Sequence, residues 1–267
     1  MKFNRHPGGE WIAGFQSLIA LGLMVLAMAL LSDKFFTPEN GWNILRQISV
    51  NLCLSIGMTL IILSGGIDLS VGAILALAGA VAAGVLKQGI ALPLFGVWLQ
   101  FTVFGALVAG VLVGLALGFF NGFVITRFKL PPFVATLGMF SIARGLTMLW
   151  TGGFPITGLG AGFGFIGTGR FLGMPMPVWI PAILVAVFLL VTRKTPFGRH
   201  LHAVGGNERA ALLTGLNVDR VKLWAYTLGG GLAGVAGLMV TARLDSAQPN
   251  AGLDRKSTRL NSSHRIR

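Results

Sequence analysis

Charge is what this sequence has least of. Of its 267 residues only 11% are Asp, Glu, Lys or Arg, against roughly a quarter in a soluble domain. With 54% hydrophobic residues and a mean hydropathy of +0.78, that shortfall excludes an ordinary soluble fold. Cysteine is nearly absent as well. The single Cys53 lies in an apolar run; it can make no internal disulfide and is expected to be a small core residue. No GxSxG elbow, metal-spaced histidine pair or Walker GxxxxGK[ST] is found, so the chain carries no ATP-hydrolysing motif of its own and an intramembrane hydrolase has no support. His200 and His202 lie two apart, on different sides of any helix, and read as solvated loop residues. Nor do apolar and polar residues alternate over ~10-residue segments, as a membrane β-barrel requires. No cofactor is implied.

The cations that are present give a net charge of +13. They do not mark a nucleic-acid binder, which would gather them on one soluble face. Most flank apolar runs instead, as topology signals do. Several of those runs approach the ~20 residues needed to cross a bilayer. The fold class is therefore all-α, a polytopic membrane bundle of about seven spanning helices. The expected spans are Gly14–Leu31, Trp42–Ser64, a helix ending near Leu86, Leu94–Phe120, Phe133–Trp150, Val178–Thr192 and Val221–Ala242. The first is long and lacks a small-residue cleavage site, so it reads as a retained helix rather than a signal peptide. Lys2, Arg5, Arg127, Lys129 and the six cations between Arg193 and Lys222 fall on one side; Lys34, Lys87 and Arg170 fall on the other. By the positive-inside rule the N-terminus is cytoplasmic.

Three features stand out along the chain. Gly110, Gly114 and Gly118 recur every four residues, and Gly230 and Gly234 form a GxxxG pair; both read as smooth stripes for close helix packing. Residues Gly65–Gly72 break the apolar pattern around Asp68. Either Asp68 or Ser70 caps the next helix, or the segment is a broken helix lining a transport path, where irregular backbone can face a cavity. The turn is cytoplasmic in the first case and intramembrane in the second. Arg144, well inside a span, is expected to snorkel outward; pairing with an acid such as Asp68, or facing water, are the alternatives. The outer stretch 151–177, rich in Gly and Pro, is longer than most loops and reads as functional or loosely ordered.

The longest polar interruption runs from Thr192 to Lys222. Within it Asn207 can N-cap a short helix, Glu208 suits its first turn, and Gly215 can end it in a left-handed conformation. About seven residues long, that helix is too short to be stable alone, yet it carries Ala210, Ala211, Leu212 and Leu213. It must dock, either on the chain's own loops or in a groove on a soluble partner.

The string GR-x-L-x-A-V-GGNE-x-A-A-x-L-x-G-L-N-V, from Gly198 to Val218, resembles the coupling loop of the membrane subunits of bacterial ABC importers for ribose, xylose and related sugars. LSGGIDLSVGAILALAGA, FVATLGMFSIARGLTMLWTGGFPI and LDSAQPNAG are similar to the same family. The resemblance implies a permease domain over 1–252 with a coupling loop at 193–220, set in a bacterial inner membrane. It implies that Gly198, Gly205, Gly206, Asn207, Glu208, Ala210, Ala211, Leu213 and Gly215 form the seat for an ATPase subunit. It also implies a periplasmic sugar-binding protein and a second permease subunit as partners. Asn51, Asp68, Ser70, Thr136 and Trp150 are the expected contacts along the substrate path. Residues 253–267 depart from the pattern: RKSTRLNSSH resembles a translated sequencing adapter, so this tail reads as spurious and the permease as truncated, and such a fragment is expected to be inactive. A permease for another small polar solute, such as an amino acid or sugar-derived signal, is the first alternative. An ion-coupled secondary transporter is the second, and it lacks paired membrane acids.

Overall fold

The computed structural model describes residues 7–92 and 97–252. The tail reading at 253–267, like Lys2 and Arg5, lies outside them. Two units are distinguished, residues 1–45 and residues 46 onward.

In the first unit, α1 (Pro7–Leu31) is followed by a tight turn. Thr37 Oγ1 donates to the Lys34 carbonyl at 2.8 Å, and Asn40 Nδ2 donates to the Phe35 carbonyl at 2.8 Å. The next helix, α2 (Pro38–Leu63), begins four residues before the expected Trp42. Its opening proline has no N–H to lose at the first helical position, so the residue that reads as a loop marker starts the helix instead.

The second unit takes α2 from Arg46 and adds α3 (Val71–Gln88), α4 (Val103–Phe128), α5 (Pro132–Thr151), α7 (Met176–Lys194) and α10 (Val218–Leu244). Among the described residues, α2, α3, α4, α5, α7 and α10 are long and apolar enough to cross a membrane. The apolar stretch described in α1, Phe15–Leu31, is shorter. α10 and α3 form the buried centre, and α7 is the most exposed span.

Small residues set the core geometry. Gly114 of α4 backs onto the backbone of Gly230 and Gly234 in α10, and Gly118 onto Tyr226 and Gly230. Gly110 meets Leu238 higher up, so α4 and α10 run antiparallel. With no Cβ at the crossing, backbone packs on backbone. On the other side Gly79 of α3 meets Thr241, and Gly237 meets Leu75, so α3 and α10 run parallel in a fixed register.

The described strands are short two-residue or three-residue pieces in three pairs. Ile90–Leu92 (β1) pairs with Val97–Leu99 (β2), occupying residues expected to be a turn and the start of a helix; α4 accordingly starts at Val103 rather than Leu94. α4 also runs past Phe120 to Phe128, ending at Lys129 in a left-handed conformation (φ 53°) just before Pro131. Asn121 and Gly122 do not stop it, because both are buried in the bundle. The 151–177 stretch is ordered: Ile156–Thr157 (β3) pairs with Ser246–Ala247 (β6), α6 (Ala161–Thr168) buries Phe163, and Arg170–Phe171 (β4) pairs with Met174–Pro175 (β5). Asp245 ties it to the end of α10, its Oδ1 accepting from the Leu159 amide at 2.9 Å. The remaining elements, α8 (Pro196–Gly206) and α9 (Glu208–Leu213), fill the polar interruption.

Candidate functional site

The polar interruption folds into two helices where one was expected. Pro196 opens α8 at a position that needs no donor, and the Thr195 hydroxyl accepts from the Gly198 amide at 3.4 Å. The glycine pair Gly205–Gly206 closes this helix. α9 has the expected ends. Asn207 Oδ1 accepts from the Ala210 amide at 3.0 Å. At the other end Leu216 N–H donates to Ala211 C=O (3.2 Å) and Gly215 N–H to Leu212 C=O (3.0 Å), with Gly215 at φ 81°. That paired closure is the Schellman arrangement.

α9 divides its apolar residues between two surfaces. Ala211 is buried with Leu201 and Val204 of α8, Leu60 of α2, and Val218, Val221 and Ala225 of α10. Leu213 points the other way and is 91% exposed, with Leu212 and Ala210 also exposed. Gly205 packs on the carbonyl of Leu63, the last residue of α2, and Gly198 packs on Thr192; Gly206 has open space around its Cα. Glu208 is held to Lys222 of α10 at 2.7 Å, and Lys129 to Asp219 at 2.6 Å. Leu213 is therefore an apolar point on a surface of ion pairs and cations, carried by a helix that is seated on α2 and α10.

Beyond Leu63 the chain leaves the seat and becomes a buried polar cluster. Asp68 Oδ1 accepts from the amide and the hydroxyl of Ser70, at 2.7 and 2.5 Å. Asn121 Nδ2 of α4 donates to Ser70 Oγ at 2.9 Å. Thr136 Oγ1 of α5 accepts from the Leu69 amide at 3.2 Å, and the Tyr226 hydroxyl of α10 donates to the Ile67 carbonyl at 3.2 Å. All five side chains are buried. Ser70 holds the expected N-cap position of α3, its carbonyl accepting from the Ile74 amide at 2.9 Å, but its side chain makes no cap bond there. Both bonds to Asp68 Oδ1 come from its own segment, and α4, α5 and α10 each pin that segment once.

The expected path residues do not form one group. Asp68, Ser70 and Thr136 meet in the cluster. Asn51 is exposed on α2. Trp150 lies about 20 Å along α5 from Thr136 at 1.5 Å per residue, its Nε1 donating to the Ala80 carbonyl at 3.0 Å. Asn121 and Tyr226 are additions that the sequence reading missed. Asn121 sits at a point read as the start of a loop; the signal that could have found it is the unbroken helical run to Phe128. Arg144 neither snorkels nor pairs with Asp68. Its guanidinium donates to the carbonyls of Pro249 (2.6 Å) and Ala251 (3.0 Å), two acceptors supplied by chain that follows α10. No group of three or more metal-ligating side chains occurs among the described residues.

Comparison with known proteins agrees with this architecture. Residues 41–256 match the family described as branched-chain amino acid transport system / permease component. The chain belongs to this permease family. The ribose import permease of Bacillus subtilis is 44% identical to it over 236 residues, covering 88% of this chain and 70% of the relative. The ribose import permease of Escherichia coli K12 is 42% identical over 253 residues, 93% of this chain and 75% of the relative. The galactofuranose transporter permease of the same strain is 37% identical over 253 residues, 91% and 71% of the two chains. No solved structure matches. As a permease of this family the chain is a multi-pass membrane transport subunit rather than an enzyme.

Proposed function

We propose that this permease is the pore-forming subunit of an ATP-binding-cassette importer that moves a monosaccharide across the inner membrane. The observation that carries this reading is α9: a capped six-residue helix, fixed on one side to α2 and α10, that presents Leu213 to solvent. A helix so short gains its stability from docking, and this one is half docked already. The free half supplies a knob for a groove on a separate ATPase subunit, with residues 193–220 as the coupling loop. The relatives carry names of ribose, galactofuranose and arabinose permeases, which supports a sugar as cargo and a periplasmic binding protein as its source. A second permease subunit would complete the pore, and the N-terminus would be cytoplasmic.

The mechanism follows from what α9 touches. Closure of the ATPase pair on ATP has to be worth more in one membrane arrangement than in the other. A displacement of α9 passes through Ala211 to Leu201, Val204 and Leu60, and through Gly205 to the carbonyl end of α2. Segment 64–70 begins there, with Gly65 in a left-handed conformation (φ 77°) and open space around it. Rigid helices moving about such a point give alternate access without remaking the core.

The test is uptake of labelled ribose by cells lacking their own ribose permease, supplied with this chain completed at its C-terminus from a ribose permease relative, an ATPase subunit and a binding protein. ATP-dependent accumulation that is lost in Leu213→Asp supports the reading. Uptake of a branched-chain amino acid instead of any sugar, or ribose uptake that needs no ATPase subunit, would sink it.

A further inference from the structure

An arginine in the middle of a spanning helix is costly unless something meets it. Arg144 is met by a length of backbone. After α10 the chain turns at Asp245 (φ 47°), pairs Ser246–Ala247 with Ile156–Thr157, and then returns along α10. Its depth can be read from helix register. Gly79 lies against Thr241 and Leu75 against Gly237, so Gly72 is level with Gly234. Gly252 touches Gly72: a Cβ on Gly72 would stand 2.9 Å from its carbonyl oxygen. At 1.5 Å per residue the returning chain has come back about 15 Å from Leu244. It is irregular backbone at membrane depth, which is tolerated only when buried in protein or lining a water-filled cavity.

Both conditions hold. Arg144 satisfies the carbonyls of Pro249 and Ala251 on one side. On the other side a cavity of about 400 Å³ opens between α3, α10 and the returning segment, within the usual size of small-molecule sites. Leu75, Val240 and Leu244 supply an apolar wall, and Gln248 and Asn250 supply the polar groups. Gln248 Nε2 donates to Ser246 Oγ at 3.1 Å, which leaves its amide oxygen uncommitted. The Asn250 amide has no partner among the described residues. Two neutral amides offer both donors and acceptors, and no charged side chain lines the cavity among the described residues. That chemistry suits a neutral solute with an apolar ring face and a rim of hydroxyls.

We propose that this cavity is a binding site for a neutral polyhydroxy compound of monosaccharide size, with Gln248 and Asn250 as its hydrogen-bonding residues. Arg144 is a positioning residue that holds the returning backbone in place. The proposal rests on the sugar-importer reading and locates the cargo away from Asp68, Ser70 and Thr136.

The sole cysteine makes the test clean, because Cys53 is fully buried. In membranes carrying the full chain, Val240→Cys, on the apolar wall of the cavity, should react with a hydrophilic thiol reagent, and ribose should slow that reaction severalfold where glutamate does not. Arg144→Gln should abolish the protection while Cys53 stays unlabelled, a split that general unfolding does not give. Gln248→Ala should lower ribose uptake by the assembled importer about tenfold, the loss expected for one or two hydrogen bonds, with ATPase activity retained. If Val240→Cys fails to label, or labels at a rate ribose does not change while wild type still takes up the sugar, the site is wrong and the importer reading stands. A wild-type assembly that takes up no monosaccharide overturns the importer reading and the polyol assignment with it.

Discussion

Replacing Gly114 with alanine puts a methyl group where α4 and α10 have no room for one. Its Cβ would lie 3.0 Å from Gly234 Cα and 3.1 Å from Gly234 N, and nearer still to the Gly230 carbonyl. Ordinary carbon contacts are about 3.5–4.0 Å, so the helices must part locally by roughly half an ångström to one ångström. Every atom in the way is backbone, so no rotamer change relieves the clash. Overpacking of this kind costs about 1–3 kcal/mol. Alanine also gains up to about 1 kcal/mol over glycine inside a helix, which blurs the net effect of the single variant.

A second glycine removes that ambiguity. Gly138 lies inside α5 with nothing within 4 Å of its would-be Cβ, so Gly138→Ala receives the propensity gain and no clash. The difference between the two variants isolates the steric term, about 1–3 kcal/mol. For a chain of this size that corresponds to roughly 2–12 °C in melting temperature. Cys53 provides the readout: it is buried beside Met239, with the two sulfurs 3.7 Å apart, and a thiol-reactive fluorogenic dye reports its exposure as the detergent-solubilised protein is heated. Gly114→Ala should melt well below Gly138→Ala. If the two melt together, the α4–α10 crossing is looser than described and the glycine argument fails.

Three further outcomes follow from the site. Leu213→Asp should leave the melting temperature within about 0.5 kcal/mol of wild type, as surface changes do, and abolish co-purification with the ATPase subunit. Ala211→Asp should instead cost several kcal/mol, about 3–5 for an unpaired buried charge, and equal melting of the two variants would contradict the division of α9 into buried and free halves. Asp68→Ala should destabilise by about 1–3 kcal/mol by stranding the Ser70 amide and hydroxyl; Asp68→Asn, which keeps an acceptor oxygen, should lose less, and the reverse order would mean the carboxylate charge itself is needed. Gly205→Ala should weaken the contact with the Leu63 carbonyl and lower the sugar transported per ATP hydrolysed, while Gly206→Ala, with open space around it, should not; identical coupling in both would disconnect α8 from α2.

How far the sequence was legible depends on the range of the forces involved. Spans were readable because they are set by local composition, and their ends shifted where a proline had two readings: Pro38 opens a helix, whereas Pro131 marks the end of α4's turn. The caps of α9 were readable because each is written within three or four residues. The second helix found in the coupling loop, α8, ends at Gly205–Gly206, where the small size of Gly205 admits the end of α2, a contact that local sequence does not announce. Partners across the bundle were not readable at all. Nothing in the local sequence says that Asn121 meets Ser70, that Tyr226 holds Ile67, or that Arg144 reaches Pro249 more than a hundred positions on. Asp68 was visible as an expensive residue, but its partners decide its role, and three of the elements that surround it lie far away in the chain.

The two regions of interest share a single rigid body and differ in what can move against it. α3, α4 and α10 are locked by backbone contacts at Gly79, Gly114, Gly118 and Gly237, which leave no slack for sliding. Segment 67–70 is pinned to that body by Asn121, Thr136 and Tyr226, and the returning segment by Arg144. α9 touches the body through apolar side chains and one exposed-side ion pair, Glu208–Lys222, and ion pairs of that kind are worth at most about 1 kcal/mol. Apolar contacts can slide, whereas buried hydrogen bonds to a fixed backbone cannot be exchanged without leaving a group unpaired. Motion entering at Leu213 should therefore be taken up between α9, α8 and the end of α2, with Gly65 as the pivot. The cavity beside Gln248 and Asn250 would then keep its shape while access to it changes. That is what a carrier needs if it is to hold a weakly bound neutral solute through the switch.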